Sequence, residues 1–262
     1  MKESIATDSS QFEVSASSSL GWGMYLVGFI ALVILWALAS LIVDSKVFMP
    51  SPIRVSEALY SLAGEGRLQA EVWASFTRVL AGFGLGAACG LVAGIVIGLA
   101  KRVEEALEPA IELFRAIPPY AMIPFALLAF GIGDFGKILV LAYASFFPVL
   151  LSTVGGVTGV PLRLMEAART LGASRSFVIS RVVLPAAASD MLVGLRMGFG
   201  AAWIALIAAE MVAASDGLGG LIIDARETLN TPVVMAGMLI IGLIGYACNC
   251  IFLGLERWGG RK

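Results

Sequence analysis

The sequence predicts an all-α membrane protein with about six transmembrane helices. Of its 262 residues, 59% are hydrophobic and 14% are charged, whereas a soluble domain has about 25% charged residues. The hydrophobic residues are gathered into long runs. A helix needs about 20 apolar residues to cross the ~30 Å hydrocarbon core of a bilayer, and runs of that length recur along the chain.

Six segments have the length and composition of transmembrane helices. Four of them carry no charge, the third has an uncharged and proline-rich second half from Ala116, and the fifth contains Arg196 and Glu210. Residues 1–20, which precede them, are rich in serine and mixed in charge, and this composition predicts a disordered tail. The six segments are residues 23–43, 79–100, 107–133, 138–157, 191–214 and 231–255.

Lysine and arginine in the loops predict the orientation of the helices, because cytoplasmic loops carry an excess of these residues. With both termini in the cytoplasm, twelve basic residues lie inside and six lie outside, and the loop over residues 158–190 is cytoplasmic. The inside set is Lys2, Lys101, Arg102, Arg115, Arg163, Arg169, Arg175, Arg181, Arg196, Arg257, Arg261 and Lys262, and the outside set is Lys46, Arg54, Arg67, Arg78, Lys137 and Arg226.

Residues that the chain lacks argue against several classes of function. It has no histidine, which removes Ser-His and Cys-His catalysis and the commonest transition-metal ligand. Its net charge of −1 argues against nucleic-acid binding, which requires a positively charged surface. Cys89, Cys248 and Cys250 lie in apolar runs without zinc-binding spacing, so we expect packing roles. The Walker A pattern is absent, so any ATP and Mg²⁺ must be bound by another chain. We expect no catalytic residue, metal or cofactor here.

Two patterns inside the apolar segments concern helix packing. Glycine recurs every four residues in the second segment, at positions 82, 86, 90, 94 and 98. This row predicts a groove in which a neighbouring backbone lies close, either for packing alone or also as a sliding surface. Proline occurs at Pro118, Pro119 and Pro124 in the third segment and at Pro148 in the fourth. These prolines predict broken helices that line a pathway, or kinks kept for packing.

Arg196 and Glu210 are charges deep in a predicted helix. They lie within about 40° of one helix face and about 21 Å apart along the axis, so they cannot pair with each other. Intramembrane charges face a bundle interior or a cavity, or else reach out to the two interfaces. The first alternative predicts a translocation path past Arg196 and Glu210, with neighbouring walls from Met197, Trp203, Pro118 and Pro124.

The loop over residues 158–190 predicts two short helices. Pro161 suits a first helical turn and Gly172 suits the position just after a helix. Ser174 is placed to cap a second helix that runs through Val183 and ends at Pro185. An exposed apolar stripe on the first helix favours a partner that covers it, unless the helix is a re-entrant or interfacial helix without a partner. The stripe consists of Leu162, Met165, Ala168 and Leu171.

The same loop contains a longer pattern. Glu166-Ala167-Ala168 is followed after three residues by Gly172, and after nine further residues by Val182-Val183-Leu184-Pro185. This spacing resembles the docking loop of ABC-transporter permeases, in which isoleucine usually stands at position 182. Further matches over roughly residues 45–255 resemble the nitrate/sulfonate/taurine group of binding-protein-dependent permeases, and taurine-type permeases most closely. They include Pro50-Ser51-Pro52, Ser75 with Arg78, Arg115-Ala116-Ile117-Pro118, Gly194-Leu195-Arg196, Ala209-Glu210 and Gly217-Leu218-Gly219.

The resemblance implies a type I importer permease fold over residues 21–258, in the inner (plasma) membrane. It implies a homodimer, two ATPase subunits that bind ATP and Mg²⁺, and a periplasmic or extracellular substrate-binding protein. Alternating access would then move a small solute, such as taurine or another sulfonate, nitrate or a related anion. The coupling residues implied are Glu166, Ala167, Ala168, Arg169, Leu171, Gly172, Leu184 and Pro185.

Three other interpretations compete. The same group includes permeases for pyrimidine or riboflavin precursors. A secondary carrier could share broken helices and midplane charges, but such folds often contain inverted repeats, and none is evident in this chain. A membrane-embedded enzyme would need a converging catalytic set, whereas the apolar segments contain no histidine and few acids.

Overall fold

The computed structural model describes residues 22–43, 49–213 and 216–259, and these residues form helices and connecting turns without a strand. The predicted tail over residues 1–20 lies outside them. The chain divides into two compact units, residues 1–52 and 53–262. The first unit contributes α1, Trp22–Val43, within which Leu26–Ile42 is a short apolar stretch.

The rest of the fold is a helical bundle with two irregular turns. A 3₁₀ turn, Pro119–Met122, precedes α5, and a π-helical turn, Ile179–Val183, precedes α9. The helices are α2 Pro52–Gly64, α3 Arg67–Gly98, α4 Lys101–Arg115, α5 Ile123–Phe130, α6 Asp134–Thr158, α7 Leu162–Thr170, α8 Arg175–Val178, α9 Leu184–Ala213, α10 Leu218–Glu227 and α11 Thr231–Gly259.

Among the residues that the structure describes, four stretches are long and apolar enough to cross a membrane: Arg67–Gly98, Asp134–Thr158, Arg175–Ala213 and Thr231–Trp258. A fifth crossing is formed if Lys101–Arg115 and Pro119–Phe130 together count as one bent span. The third predicted segment, residues 107–133, is therefore not one straight helix, because these two pieces meet at 76°. Pro119 holds Pro118 in an extended conformation, with ψ at 135°, so α4 cannot continue.

The other prolines are accommodated within helices. Pro124 takes an early position in α5, where the missing amide hydrogen has no helical partner to lose. Pro148 lies inside α6, which continues to Thr158. The break predicted from proline is thus found in the third segment and is absent from the fourth.

The helix α6 lies between α3 and α9 and packs closely against both. A Cβ atom added to Gly94 of α3 would lie 2.6 Å from the Cβ of Thr153, and one added to Gly194 of α9 would lie 2.6 Å from the Cβ of Ser152. A side chain cannot occupy that space, so glycine is what allows the contact. The groove predicted from the glycine row of α3 is confirmed, and a second glycine contact on α9 accompanies it.

The start of α9 differs from the prediction. The second docking-loop helix does not end at Pro185, because α8, the π turn and α9 join into the continuous stretch Arg175–Ala213. The wider π turn lies just before Pro185, where a regular helix would suffer a missing donor and a ring clash. The short helix α10, buried along most of its length, was not predicted.

The helix α2 follows the first apolar segment, and its residues Val55 and Leu62 are buried. Its apolar face therefore packs against the chain itself.

Candidate functional site

The docking-loop residues form an exposed helix and a tight turn after it. Glu166, Ala167 and Arg169 of α7 are exposed, and Ala168 is half-buried. The helix ends in a Schellman motif, in which the amide of Gly172 donates to the Arg169 carbonyl at 2.9 Å and the amide of Ala173 donates to the Ala168 carbonyl at 3.1 Å. Gly172 has a φ of 83°, which favours glycine over any residue with a Cβ.

The apolar stripe of α7 is divided between two surroundings. Met165 and Ala168 pack against a cluster that includes Val157 and Val183 of the same chain. In contrast, Leu171 is 88% exposed, and Leu162 is also exposed. Part of the stripe is therefore covered by the chain itself, and its two ends remain available to a partner.

Leu184 and Pro185 lie at the first two positions of α9. Leu184 is half-buried and Pro185 is exposed. Ser174 caps α8 as predicted, because its Oγ accepts a hydrogen bond from the Phe177 amide at 3.3 Å. The docking pattern therefore covers α7, α8 and the π turn that leads into α9.

A cavity of about 550 Å³ opens between the α4–α5 break and the middle of α6 and α9. Met197, one of the predicted path residues, lines it. Pro118 adjoins Pro119 in the cavity wall, and Pro124 lies farther along the same break. The hydroxyl of Tyr143 on α6 donates to the carbonyl of Phe114 and, at 3.3 Å, to that of Ile117, which fixes the break against α6. The lining also includes Glu112, Arg115, Ala116, Ala144, Phe147, Pro148, Leu151, Ser152 and Ala201.

Arg196 and Trp203 line a different and smaller cavity, of about 180 Å³, between α9 and α11. The Nε atom of Arg196 lies 2.8 Å from Oε1 of Glu256 on α11. The two atoms are close enough for an ion pair, but the N–H direction is not aligned for a hydrogen bond between them. Arg196 thus has a counter-charge on a neighbouring helix, which was not predicted.

Glu210 belongs to a buried cluster of charges centred on Arg78. The guanidinium of Arg78 donates to Glu210 Oε1 at 3.1 Å, to Asp134 Oδ1 at 2.7 Å and to the Asp216 carbonyl at 2.6 Å. Ser75 Oγ also donates to Glu210, at 2.9 Å from each carboxylate oxygen. The Glu210 side chain is completely buried and Arg78 is 6% exposed. The structure therefore places Glu210 and Arg196 in separate surroundings.

Backbone amides complete this cluster at the start of α10. The amide of Gly219 donates to Glu210 Oε2 at 3.0 Å, and that of Leu218 donates to Ser75 Oγ at 2.8 Å. Gly217 has a φ of 113°, and a Cβ added there would meet the Glu210 carboxylate. The Gly217-Leu218-Gly219 pattern is explained by this close approach of the backbone to a buried carboxylate.

Asp216 and Lys137 lie at the edge of the cluster. Lys137 Nζ lies 3.7 Å from Asp134 Oδ1. The pKa of the Asp216 carboxyl is lowered, first by a hydrogen bond from its own backbone amide and then by the charge of Arg78. Its contribution to folding is present at neutral pH and is lost as the pH falls through the lowered pKa. Because 76% of the side chain is exposed, that contribution is small.

A comparison with known protein families decides the identity of the chain. Residues 86–262 match the family described as "Binding-protein-dependent transport system inner membrane component". The chain belongs to this family. It is an ABC importer permease and a multi-pass membrane protein, and it is a transport component rather than an enzyme.

Individual relatives agree with this assignment. The permease is 39% identical to the taurine transport system permease protein TauC of Escherichia coli (strain K12), covering 87% of this chain and 85% of that one. It is 36% identical to the putative aliphatic sulfonates transport permease protein SsuC of Bacillus subtilis (strain 168), and the match covers 90% of this chain and 86% of that one.

A solved structure establishes the fold. The permease resembles a chain of the MetNI methionine ABC transporter, captured in inward-facing conformations, with a TM-score of 0.64 and 19% identity. The match covers 72% of this chain and 94% of that one. The predicted type I importer permease fold is confirmed.

Proposed function

We propose that this permease is the membrane subunit of an ATP-driven importer for a small organic or inorganic anion. The substrate that we favour is a sulfonate such as taurine. The names of its relatives support this substrate class. We further propose two copies of the permease, two ATPase subunits that bind ATP and Mg²⁺, and an external substrate-binding protein. This chain itself holds no cofactor in the proposal. Both termini lie in the cytoplasm, and the permease works by alternating access.

The observation that carries this proposal is the exposed docking surface on α7. We assign coupling to Glu166, Ala167, Ala168, Arg169, Leu171, Gly172, Leu184 and Pro185. Leu171 is 88% exposed, and an exposed apolar side chain at the end of an exposed helix favours a partner that covers it. A groove on an ATPase subunit is the partner that we propose.

Substitution of Glu166 tests the docking surface. Glu166→Lys should abolish uptake into proteoliposomes and reduce co-purification of the ATPase, because it reverses a charge on the proposed contact. Glu57→Lys, an exposed charge reversal on α2, is the matched control and should leave ATPase co-purification unchanged. Normal co-purification and uptake in the Glu166 variant would contradict the proposal. Uptake by the parent without any ATPase would favour the secondary carrier.

We propose that Met197 and the break that carries Pro118 and Pro124 line the translocation path. Arg196, Trp203 and Glu210 lie on other faces of α9 and are proposed as further path residues. The cavity at Met197 supports the first part. Arg196 and Glu210 have counter-charges in the chain, so they enter the path only if those pairs open during the cycle.

Cysteine labelling tests this path. In a background without native cysteines, Met197→Cys and Arg196→Cys should react with a membrane-impermeant thiol reagent at rates that depend on ATP. Equal rates in all states, together with full uptake in Arg196→Ala, would remove Arg196 from the path. Substrates outside the anion class, such as pyrimidine or riboflavin precursors, are distinguished by direct binding to the partner binding protein.

A further inference from the structure

The cavity at the α4–α5 break is lined by a positively charged side chain to which the proposed path assigns no role. Arg115 is the last residue of α4, and Arg115 and Glu112 both line the cavity. Nη2 of Arg115 lies 2.6 Å from Oε2 of Glu112, and the two side chains are about half exposed. The pair is therefore open to the cavity rather than enclosed by packing.

The position of Arg115 along the bundle makes this exposure significant. Tyr143 binds the carbonyls of Phe114 and Ile117, which flank Arg115, so the arginine lies level with the middle of α6. The α9 residues that line the cavity, Met197 and Ala201, also lie near the middle of their helix. A charge at mid-depth in a bilayer is costly, and such charges mark substrate or ion pathways.

The remaining walls are largely apolar. They include Ile117, Pro119, Phe147, Pro148, Leu151 and Met197. A cavity of about 550 Å³ lies within the usual size range of small-molecule sites. An inorganic anion would use the arginine and leave these walls without a contact, whereas an organic anion would use both.

We infer that this cavity is a transit site for a small organic anion, with the oxyanion group on Arg115 and a short apolar chain against the walls. This inference rests on the proposed import of an anion. Glu112 is the counter-ion of Arg115 in this structure, and the ligand displaces it. The guanidinium is suited to this exchange because its fork binds sulfonate, carboxylate or phosphonate oxygens through paired donors.

The charge of the site can be measured without transport. In the full chain assembled with its ATPase and lacking native cysteines, Ser152→Cys places a thiol in the cavity wall. An anionic methanethiosulfonate reagent should react with it faster than a cationic one. Arg115→Gln should lower that rate ratio about tenfold and Glu112→Gln should raise it, because charges in a cleft concentrate counter-ions. Arg102→Gln, an exposed charge on the first turn of α4, should leave it unchanged.

Two results of this labelling would overturn the inference. One is an unchanged rate ratio when Arg115→Gln is added to the Ser152→Cys background. The other is a Ser152→Cys thiol that reacts with neither reagent in any state, which would mean that the cavity is closed to solutes in the assembled transporter.

Uptake then tests the ligand class. Propanesulfonate uptake should fall at least about tenfold in Arg115→Gln and recover in part in Arg115→Lys, with ATP hydrolysis in the absence of substrate retained. Parent uptake of propanesulfonate should exceed that of nitrate. Unchanged propanesulfonate uptake in Arg115→Gln would refute the site. A parent that transports neither anion would refute the proposed substrate class, while the labelling ratio would still report on the site.

Discussion

At the scale of single residues, the absence of a side chain determines how closely the helices of this permease approach one another. Gly94 and Gly194 each face α6 at distances that exclude a Cβ. Gly84, on the same helix as Gly94, is exposed and has no atom within 4 Å of an added Cβ. The chain therefore contains a natural pair of positions at which the same substitution has different consequences.

Gly94→Leu should destabilise the permease by about 1–3 kcal/mol or more, because overpacking forces α3 away from α6. Gly84→Leu is the matched control and should change stability by less than about 0.5 kcal/mol. Thermal unfolding of the purified protein in detergent measures both. If Gly94→Leu unfolds at the temperature of the parent, α3 and α6 are not in close contact.

Buried charge is the second feature at this scale. Glu210→Ala should cost about 3–5 kcal/mol, because it leaves Arg78 with less compensation and removes the acceptor for Ser75 and Gly219. Asp216→Asn also alters a partner of Arg78, but its side chain is 76% exposed, so the cost should be below about 1 kcal/mol. Equal midpoints of thermal unfolding in the two variants would contradict this difference.

At the scale of helices, the residues that were predictable are those whose pattern is local. The glycine row of α3, the cap at Ser174 and the proline break all lie within single segments, and each is present as expected. The Arg78–Glu210 contact joins residues 132 positions apart, and no spacing rule reaches that far. In the sequence, Arg78 stands just before the second apolar segment and Glu210 inside the fifth, and both belong to motifs of the family, but no motif pairs them. The buried helix α10 was missed for a similar reason, since it is too short to give a strong periodicity.

The turn after α7 offers a test at this scale. Gly172→Val should disturb the docking turn, because a residue with a Cβ is strained at a φ of 83°. We expect lower coupled uptake and reduced ATPase co-purification, with insertion into the membrane retained. Gly155→Val provides the control, since Gly155 lies inside α6, is exposed and has open space around its Cβ position. Normal coupling in Gly172→Val would show that the shape of this turn is not needed.

At the scale of the whole molecule, the orientation in the membrane stays a prediction. The count of twelve basic residues inside against six outside included Arg115 and Arg196, which both lie at mid-length of the bundle, so ten remain on that side. Ten against six still favours the same orientation. The structure thus weakens the count slightly without reversing it.

Impermeant labelling of intact cells tests the orientation. In a background without native cysteines, Glu65→Cys in the turn between α2 and α3 should react from outside. Arg175→Cys, at the start of α8, should react only after the membrane is permeabilised, because the docking loop is predicted to be cytoplasmic. The opposite pattern would invert the topology and separate the loop from any cytoplasmic ATPase.

The continuous helical stretch from Arg175 to Ala213 joins the docking loop to the buried charges at the far end of the bundle. It contains 39 residues and is therefore about 58 Å long. One end carries the docking loop, and the other carries Glu210 with its buried partners. A tilt of about 5° at the docking end would sweep the far end through about 5 Å, more than the length of a hydrogen bond. A small rotation about the docking end would thus become a displacement of several ångströms at the buried charges, because of the length of this stretch.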